Sequence, residues 1–315
     1  MKKLHIFLLI LSLLVGDCTG MSCICKVVND ETTNNTNVTD RLERIKKKGV
    51  LTIASSNNPP YSFIDPKTGE LTGIDGDIIN EVAKLLGINK VEMKYVPFDK
   101  LFTQIQEDDD IDMIVDATYI TDERKKLVSF TNPWYKDYDI FVTPKISKIS
   151  FKEDLKNEVI GVQEGTIDVP FAEKLKQEGA IKDYILFPNQ LELLSAVNYG
   201  KVAAGISDAI IFPYLLQQNK NLYLKAIYED PSKPDLPGET AAAVRRSDTN
   251  LLNAVNEKID ELKKDKTFSK ILKKYGLDDS YIIPPSVTSS EASDIDKTLL
   301  IISCWKFSAF GSLKN

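Results

Sequence analysis

Residues able to act as nucleophiles or soft metal ligands are confined to the two ends of the chain. The lone histidine is His5 and the cysteines are Cys18, Cys23, Cys25 and Cys304, so nothing between Lys26 and Ser303 carries an imidazole or a thiol. That excludes a Ser-His-Asp or Cys-His nucleophile from the body of the chain. It also excludes a zinc site of the usual Cys and His kind, and only carboxylates remain to hold a hard cation. Neither G-x-G-x-x-G nor a P-loop is present, which leaves dinucleotide and NTP chemistry without support. The body is equipped for binding, or for carboxylate chemistry, and not for the common hydrolases.

The elements that must position these groups follow a strand-helix rhythm. Residues 50–54 form a short apolar run ended by Ser55-Ser56-Asn57-Asn58-Pro59-Pro60, a strand and then a turn. Ile78, Ile79, Val82, Leu85 and Leu86 recur at helical spacing, with Gly87 where a left-handed cap is wanted. Strands at 91–95 and 111–115 flank a helix marked by Leu101, Phe102 and Ile105. The pattern restarts after Pro144. Strands are expected at 159–162, 184–187, 202–207 and 240–244, with an extended stretch over 222–228. Helices are expected from Gly165-Thr166 with Pro170 near the first turn, around Leu191, Leu194 and Val197, at 251–262 and at 267–275. Two consecutive α/β blocks in 315 residues predict two lobes, with a ligand cleft between them. Lys and Arg number 40 against 46 Asp and Glu, a net charge of −6 that argues against a nucleic-acid binder.

The ends read as address and tether. Lys2 and Lys3 precede an apolar run over 4–15, too short to span a bilayer but suited to a secretory signal. Cys18 follows Val15-Gly16-Asp17 and resembles the lipidated cysteine of a bacterial lipobox; Cys23 after Ser22 is its rival. Residues 1–17 are therefore expected to be a lipoprotein-type signal and 18–43 a polar, flexible tether. Beyond Pro285, a Ser-rich segment leads to Leu299, Cys304, Trp305 and Phe307, again too short to span, so 278–315 is expected to be a peripheral tail.

Several segments together resemble the bacterial extracellular solute-binding proteins of family 3, the receptors of polar amino acid ABC transporters. They are residues 49–63 (GVLTIASSNNPPYSF), Gly73-Ile74-Asp75-Gly76-Asp77, the run 120–126 (ITDERKK) followed by 130–135 (FTNPWY), and 161–166 (GVQEGT). The resemblance covers about residues 44–277. It implies an α/β, two-lobe type II periplasmic-binding-protein fold with a two-strand hinge and an interlobe ligand cleft. Lobe 1 would comprise 44–143 plus 239–277 and lobe 2 residues 144–238, with crossings near 139–143 and 239–243.

The resemblance also assigns roles. Arg124 would take a ligand α-carboxylate, which a guanidinium fork suits better than a lysine point charge; on residue type alone, Arg124 beside Lys125 and Lys126 would equally suit a solvated charge run. Asp208, at the end of a strand, would take the ligand ammonium, while an aspartate there could also cap a helix starting at Ala209. Thr166 and Ile167 would offer backbone N–H groups from the second lobe, and Gln163 would face the ligand side chain. Phe98 would form one wall, and Tyr61 is ambiguous between wall and packing. The chain departs from the family pattern at Asn58, where an aromatic wall is common, and at Ser55, where many relatives have a side-chain-reading aspartate. Asp116, Ala117 and Tyr119 replace small or hydroxyl residues. Asp116 could supply the acid that Ser55 does not, which would favour a cationic ligand such as lysine, arginine or ornithine.

The resemblance thus implies a lipid-anchored, extracytoplasmic, monomeric receptor that needs no metal or cofactor, does no chemistry and delivers its ligand to a permease. The alternative from another class is a cyclohexadienyl dehydratase-like enzyme on the same fold, using Asp116 beside Arg124. A ligand-gated receptor domain would need pore helices, which the body lacks.

Overall fold

The computed structural model describes residues 40–227 and 236–285. Cys18, Cys23, the expected signal segment and the apolar residues near the C-terminus lie outside the described residues, as do Pro231 and Pro234. In chain order the elements are α1 (Arg41–Lys48), β1 (Val50–Ser55), β2 (Phe63–Ile64), β3 (Leu71–Thr72), α2 (Ile74–Leu85), β4 (Lys90–Tyr95), α3 (Leu101–Glu107), β5 (Met113–Tyr119), α4 (Asp122–Lys125), β6 (Val128–Phe130) and β7 (Lys136–Pro144). They continue as β8 (Val159–Gln163), α5 (Asp168–Gln177), β9 (Asp183–Phe187), α6 (Gln190–Asn198), β10 (Ala204–Asp208), α7 (Ile211–Gln218), β11 (Leu224–Ala226), β12 (Pro237–Arg245), α8 (Thr249–Lys264) and α9 (Thr267–Lys274).

One continuous sheet runs β4-β1-β5-β12-β7-β10-β8-β9, with β6 paired to β12 and β11 to β7. Strand β1 is parallel to β4 and β5, and β8 is parallel to β9 and β10, so each lobe has its own parallel core. The long antiparallel strands β7 and β12 join them, paired through residues 136–138 and 237–239. This is the two-lobe type II arrangement with a two-strand crossing. Its helices cover the sheet by amphipathic burial: α8 buries Leu251, Val255, Ile259 and Leu262, each contributing roughly 1.5–3 kcal/mol of apolar burial.

The boundaries differ from those expected. The first crossing lies at residues 136–138, because residues 139–142 already pair with β10 of the second lobe. Helix α1 begins inside the stretch expected as a tether. Asp40 caps it, Leu42 and Ile45 are buried, and Arg41 is only 6% exposed. The Arg41 guanidinium lies 2.5 Å from Asp109, 3.1 Å from Asp112 and 2.7 Å from Asp248. Those partners come from distant parts of the chain, so the polar composition around Arg41 concealed its packing. The expected tail is also ordered at its start: a 3-10 turn at Asp279–Tyr281 leads to Ile282, which bridges to Tyr135.

Candidate functional site

The carboxyl ends of β1, β5, β8 and β10, with the turn after β4, converge on a narrow cleft between the lobes. In an open parallel sheet this is where the ends of strands leave a crevice. Among the expected site residues, Asn58, Phe98, Asp116, Ala117, Tyr119, Arg124, Gln163, Thr166, Ile167 and Asp208 line it, and so does Tyr61.

Ser55 does not. It is fully buried behind the cleft, its Oγ 3.0 Å from both Ser62 O and Asp116 Oδ1, and it accepts the Asn57 N–H. Its partner Asp116 is equally tied. Asp116 Oδ2 accepts the Ser56 N–H at 2.9 Å and the Ser56 hydroxyl at 2.6 Å. Burial pushes the Asp116 carboxyl up to about 7 despite these bonds. Asp116 therefore organises the turn after β1, and each of its oxygens already accepts a bond from that turn.

Strand β5 runs to Tyr119, past the expected end at residue 115, because Tyr119 and Thr118 pair with Thr240 and Ala241 of β12. Its course bends at Ala117, whose φ is +48°. Asp75 holds that bend: Oδ2 accepts the Ala117 N–H at 2.6 Å and Oδ1 accepts the Tyr135 hydroxyl at 2.7 Å. Burial raises the Asp75 carboxyl to about 6. The glycine before this acid is required by sterics, since a Cβ on Gly73 would lie 2.2 Å from Tyr61 O, at φ +109°.

Arg124 sits in the one-turn helix α4, where the Thr121 hydroxyl accepts the Arg124 N–H. It is 9% exposed and not part of a solvated charge run. Its guanidinium lies 4.9 Å from the Phe102 ring centroid and 5.9 Å from that of Phe98, and donates to Tyr119 O at 2.8 Å. A second nitrogen crosses the cleft to Gly165 O at 3.1 Å. Burial lowers the Arg124 pKa to about 10, still fully charged at neutral pH.

On the facing lobe, Asp208 ends β10. Helix α7 starts at Ile211 with Ile210 at its cap position, so Asp208 is not a helix cap. Tyr119 Oη donates to Asp208 Oδ1 at 3.4 Å, which directs the tyrosine's bulk across the cleft. Burial raises Asp208 to about 7, with repulsion from Asp168 adding to it. Helix α5 starts at Asp168, later than expected; the Asp168 N–H is taken by Thr166 Oγ1 at 3.2 Å.

Three acids in or beside the cleft escaped the sequence reading. Asp139 and Asp168 line it, and Asp137 lies behind, accepting the Tyr61 hydroxyl at 2.7 Å. Asp137 and Asp139 alternate on β7, and aspartate is depleted in strands, so a D-x-D within the crossing segment was the available signal. Burial holds both carboxyls well above the ordinary range.

The sequence pattern of the bacterial extracellular solute-binding proteins, family 3, matches residues 51–278. The chain belongs to this family. Among its relatives, a probable histidine-binding protein of Campylobacter jejuni is 30% identical over 225 residues, covering 70% of this solute-binding protein and 82% of the relative. A solved ancestral arginine-binding protein bound to arginine superposes with a TM-score of 0.64 at 32% identity, covering 72% of this chain and 98% of that one. An ancestral amino acid-binding protein described as a precursor of cyclohexadienyl dehydratase gives 0.64 at 29%, over 74% and 98%. The named relatives are binding proteins, and the family is extracellular by description. Among the described residues, no helix of this solute-binding protein is long and apolar enough to cross a membrane.

Proposed function

We propose that this protein captures an amino acid between its lobes and delivers it to the permease of an ABC importer, as a monomer held to the membrane by a lipid on Cys18. The reading rests on one observation above others: Arg124 from the first lobe and Asp208 from the second line the same cleft. A guanidinium and a carboxylate on opposite walls match the two charges of an amino acid backbone. A ligand touching both walls favours the closed form, which the permease would recognise. The partners of Arg124 in this structure are backbone carbonyls, which a carboxylate outcompetes as acceptor. The names of the relatives, which span histidine, glutamine, arginine and cystine binders, support an amino acid ligand without choosing one.

The dehydratase reading depends on Asp116 as a free acid beside Arg124. Its bonds to Ser55 and Ser56 weigh against that role, and we read the protein as doing no chemistry.

A thermal-shift screen of the purified protein against all common amino acids and prephenate tests the proposal. At a hundred times its dissociation constant a true ligand adds about 2.7 kcal/mol, a shift of a few degrees. An amino acid that shifts the wild type and loses its shift in Arg124→Lys supports the reading. A response to prephenate alone, with product formed, would replace receptor by enzyme.

A further inference from the structure

A second, largely apolar groove adjoins the cleft, and Asn58, Phe98 and Gln163 line both. The Phe98 ring centroid lies 5.9 Å from the Arg124 guanidinium, so the groove begins beside the group that would hold a ligand carboxylate. The first lobe contributes Pro59 from the turn after β1, Tyr95 from the end of β4 and Pro97 just beyond it. The second contributes Leu191 from the start of α6, and Tyr214 and Leu215 of α7. Tyr95 is 65% exposed and Leu191 46%. Large apolar side chains left this open around one concave surface mark a place where something binds.

Several polar groups along the groove are already used within their own elements. The Ser56 hydroxyl donates to Asp116, Asn57 Oδ1 accepts the Ile64 N–H, and Asn189 Oδ1 accepts the Glu192 N–H. Asp99 is the one charged residue among those lining it, and Lys100 pairs with it at 2.6 Å. A charged occupant would find no free counter-charge there. Gln190 differs from its neighbours: it lines the groove, is 4% exposed, and its Oε1 is buried without a hydrogen-bond partner. A buried acceptor with no donor is costly, so the complement of this groove is neutral, bulky and apolar and brings one donor to Gln190.

The direction of approach follows from the cleft. With its carboxylate at Arg124 and its ammonium at Asp208, an amino acid has only its side chain left to pass Phe98 and leave the cleft. The cleft itself is narrow and is crossed by Tyr119 on its way to Asp208, so room for a bulky side chain lies in the groove.

We propose that the groove is an annex of the ligand cleft, and that the ligand is an amino acid whose side chain is extended by a neutral apolar group behind a hydrogen-bond donor, the chemistry of a side-chain amide carrying an aryl or alkyl end. This rests on the amino acid receptor reading above and names the class of side chain it would take. Tyr95, Leu191 and Gln190 are specificity-determining residues.

Calorimetric titration of the purified whole protein with L-glutamine and with L-glutamic acid γ-anilide, which adds one phenyl ring to the glutamine amide, tests the annex. The anilide should bind the wild type about tenfold more tightly or better, the gain expected for burying a ring. Leu191→Ser, at an exposed position, should cut that advantage by about threefold or more and leave glutamine binding unchanged. Gln190→Met removes the acceptor, keeps the length, and should weaken anilide binding by about threefold or more. A melting curve checks that each variant remains folded, and the wild-type comparison needs no variant. If the anilide binds no better than glutamine, or its advantage survives in both variants, the annex is wrong and the receptor reading stands. If neither binds while another common amino acid does, the annex fails in the same way. If no amino acid and no anilide binds, the receptor reading fails with it.

Discussion

The ring of Tyr119 fills the space a side chain at residue 238 would need: a Cβ on Gly238 would lie 2.3 Å from Tyr119 Cδ2 and Cε2. Gly238 belongs to the crossing strand β12, and Tyr119 ends the central strand of the first lobe. The bare backbone of the hinge strand thus lets a first-lobe tyrosine pass across the cleft to Asp208 of the second. Gly238→Ala should destabilise the protein by about 1–3 kcal/mol, the usual cost of overpacking. Urea unfolding reads the change, and Tyr119→Ser in the same chain should recover most of it. An unchanged midpoint for the single variant would show that the ring yields freely.

A second glycine meets the opposite lobe. Gly165 has φ +80°, and a Cβ there would sit 2.5 Å from Asp99 Cα. Gly165→Ala should therefore hold the lobes apart, raising the ligand dissociation constant by at least tenfold and leaving the scattering radius with ligand at its ligand-free value. Gly179, with φ +71° and nothing within 4 Å of an added Cβ, is the control. Gly179→Ala carries the same left-handed strain, on the order of 1 kcal/mol, with no interlobe clash. Equal effects of the two variants on affinity would remove the closure argument.

The raised carboxyls set a pH dependence. Burial lifts Asp168 to about 6 and Asp208 to about 7, and holds Asp139 well above the ordinary range. The folded closed form therefore keeps protons that the unfolded chain, with carboxyls near 4, has already lost. Stability from these groups is fully present below about pH 4 and is lost as pH rises through 6 to 7. Without ligand, the melting temperature should fall between pH 5 and pH 8, and Asp139→Asn should flatten that slope. A saturating amino acid ligand should offset the fall, because an ammonium at Asp208 favours its ionised form. A ligand-free melting temperature that climbs over this range contradicts the prediction.

Asp116 makes a contrasting case. With its oxygens bonded to Ser55 and Ser56, Asp116→Asn puts a donor where an acceptor is needed. The expected cost is about 1–3 kcal/mol of stability. The order of preference among amino acid ligands should not change. A changed preference in this variant would give Asp116 a ligand-reading role.

Much of the site was legible in short stretches of sequence. The ITDERKK run marks Arg124 because its cap, Thr121, lies three residues away, and the strand ends near Gln163 and Asp208 follow from apolar runs closed by polar residues. Helix α1 was not legible, since Arg41 is buried by Asp109, Asp112 and Asp248. The burial of the D-x-D of β7 was not legible either, because it depends on the pairing of that strand with distant segments.

By itself the sequence determined the two α/β blocks, the family, the missing nucleophiles and the positively charged group of the cleft, because periodicity, capping and residue type act within a few positions. Only the tertiary structure decided which acids face the cleft. Ser55 and Asp116 are 61 residues apart and bond to each other, while Asp139 and Asp168, 29 apart, both line the cleft. Whether a carboxylate meets a hydroxyl or an opening depends on the register of strands that are distant in the chain, and no local pattern records that register.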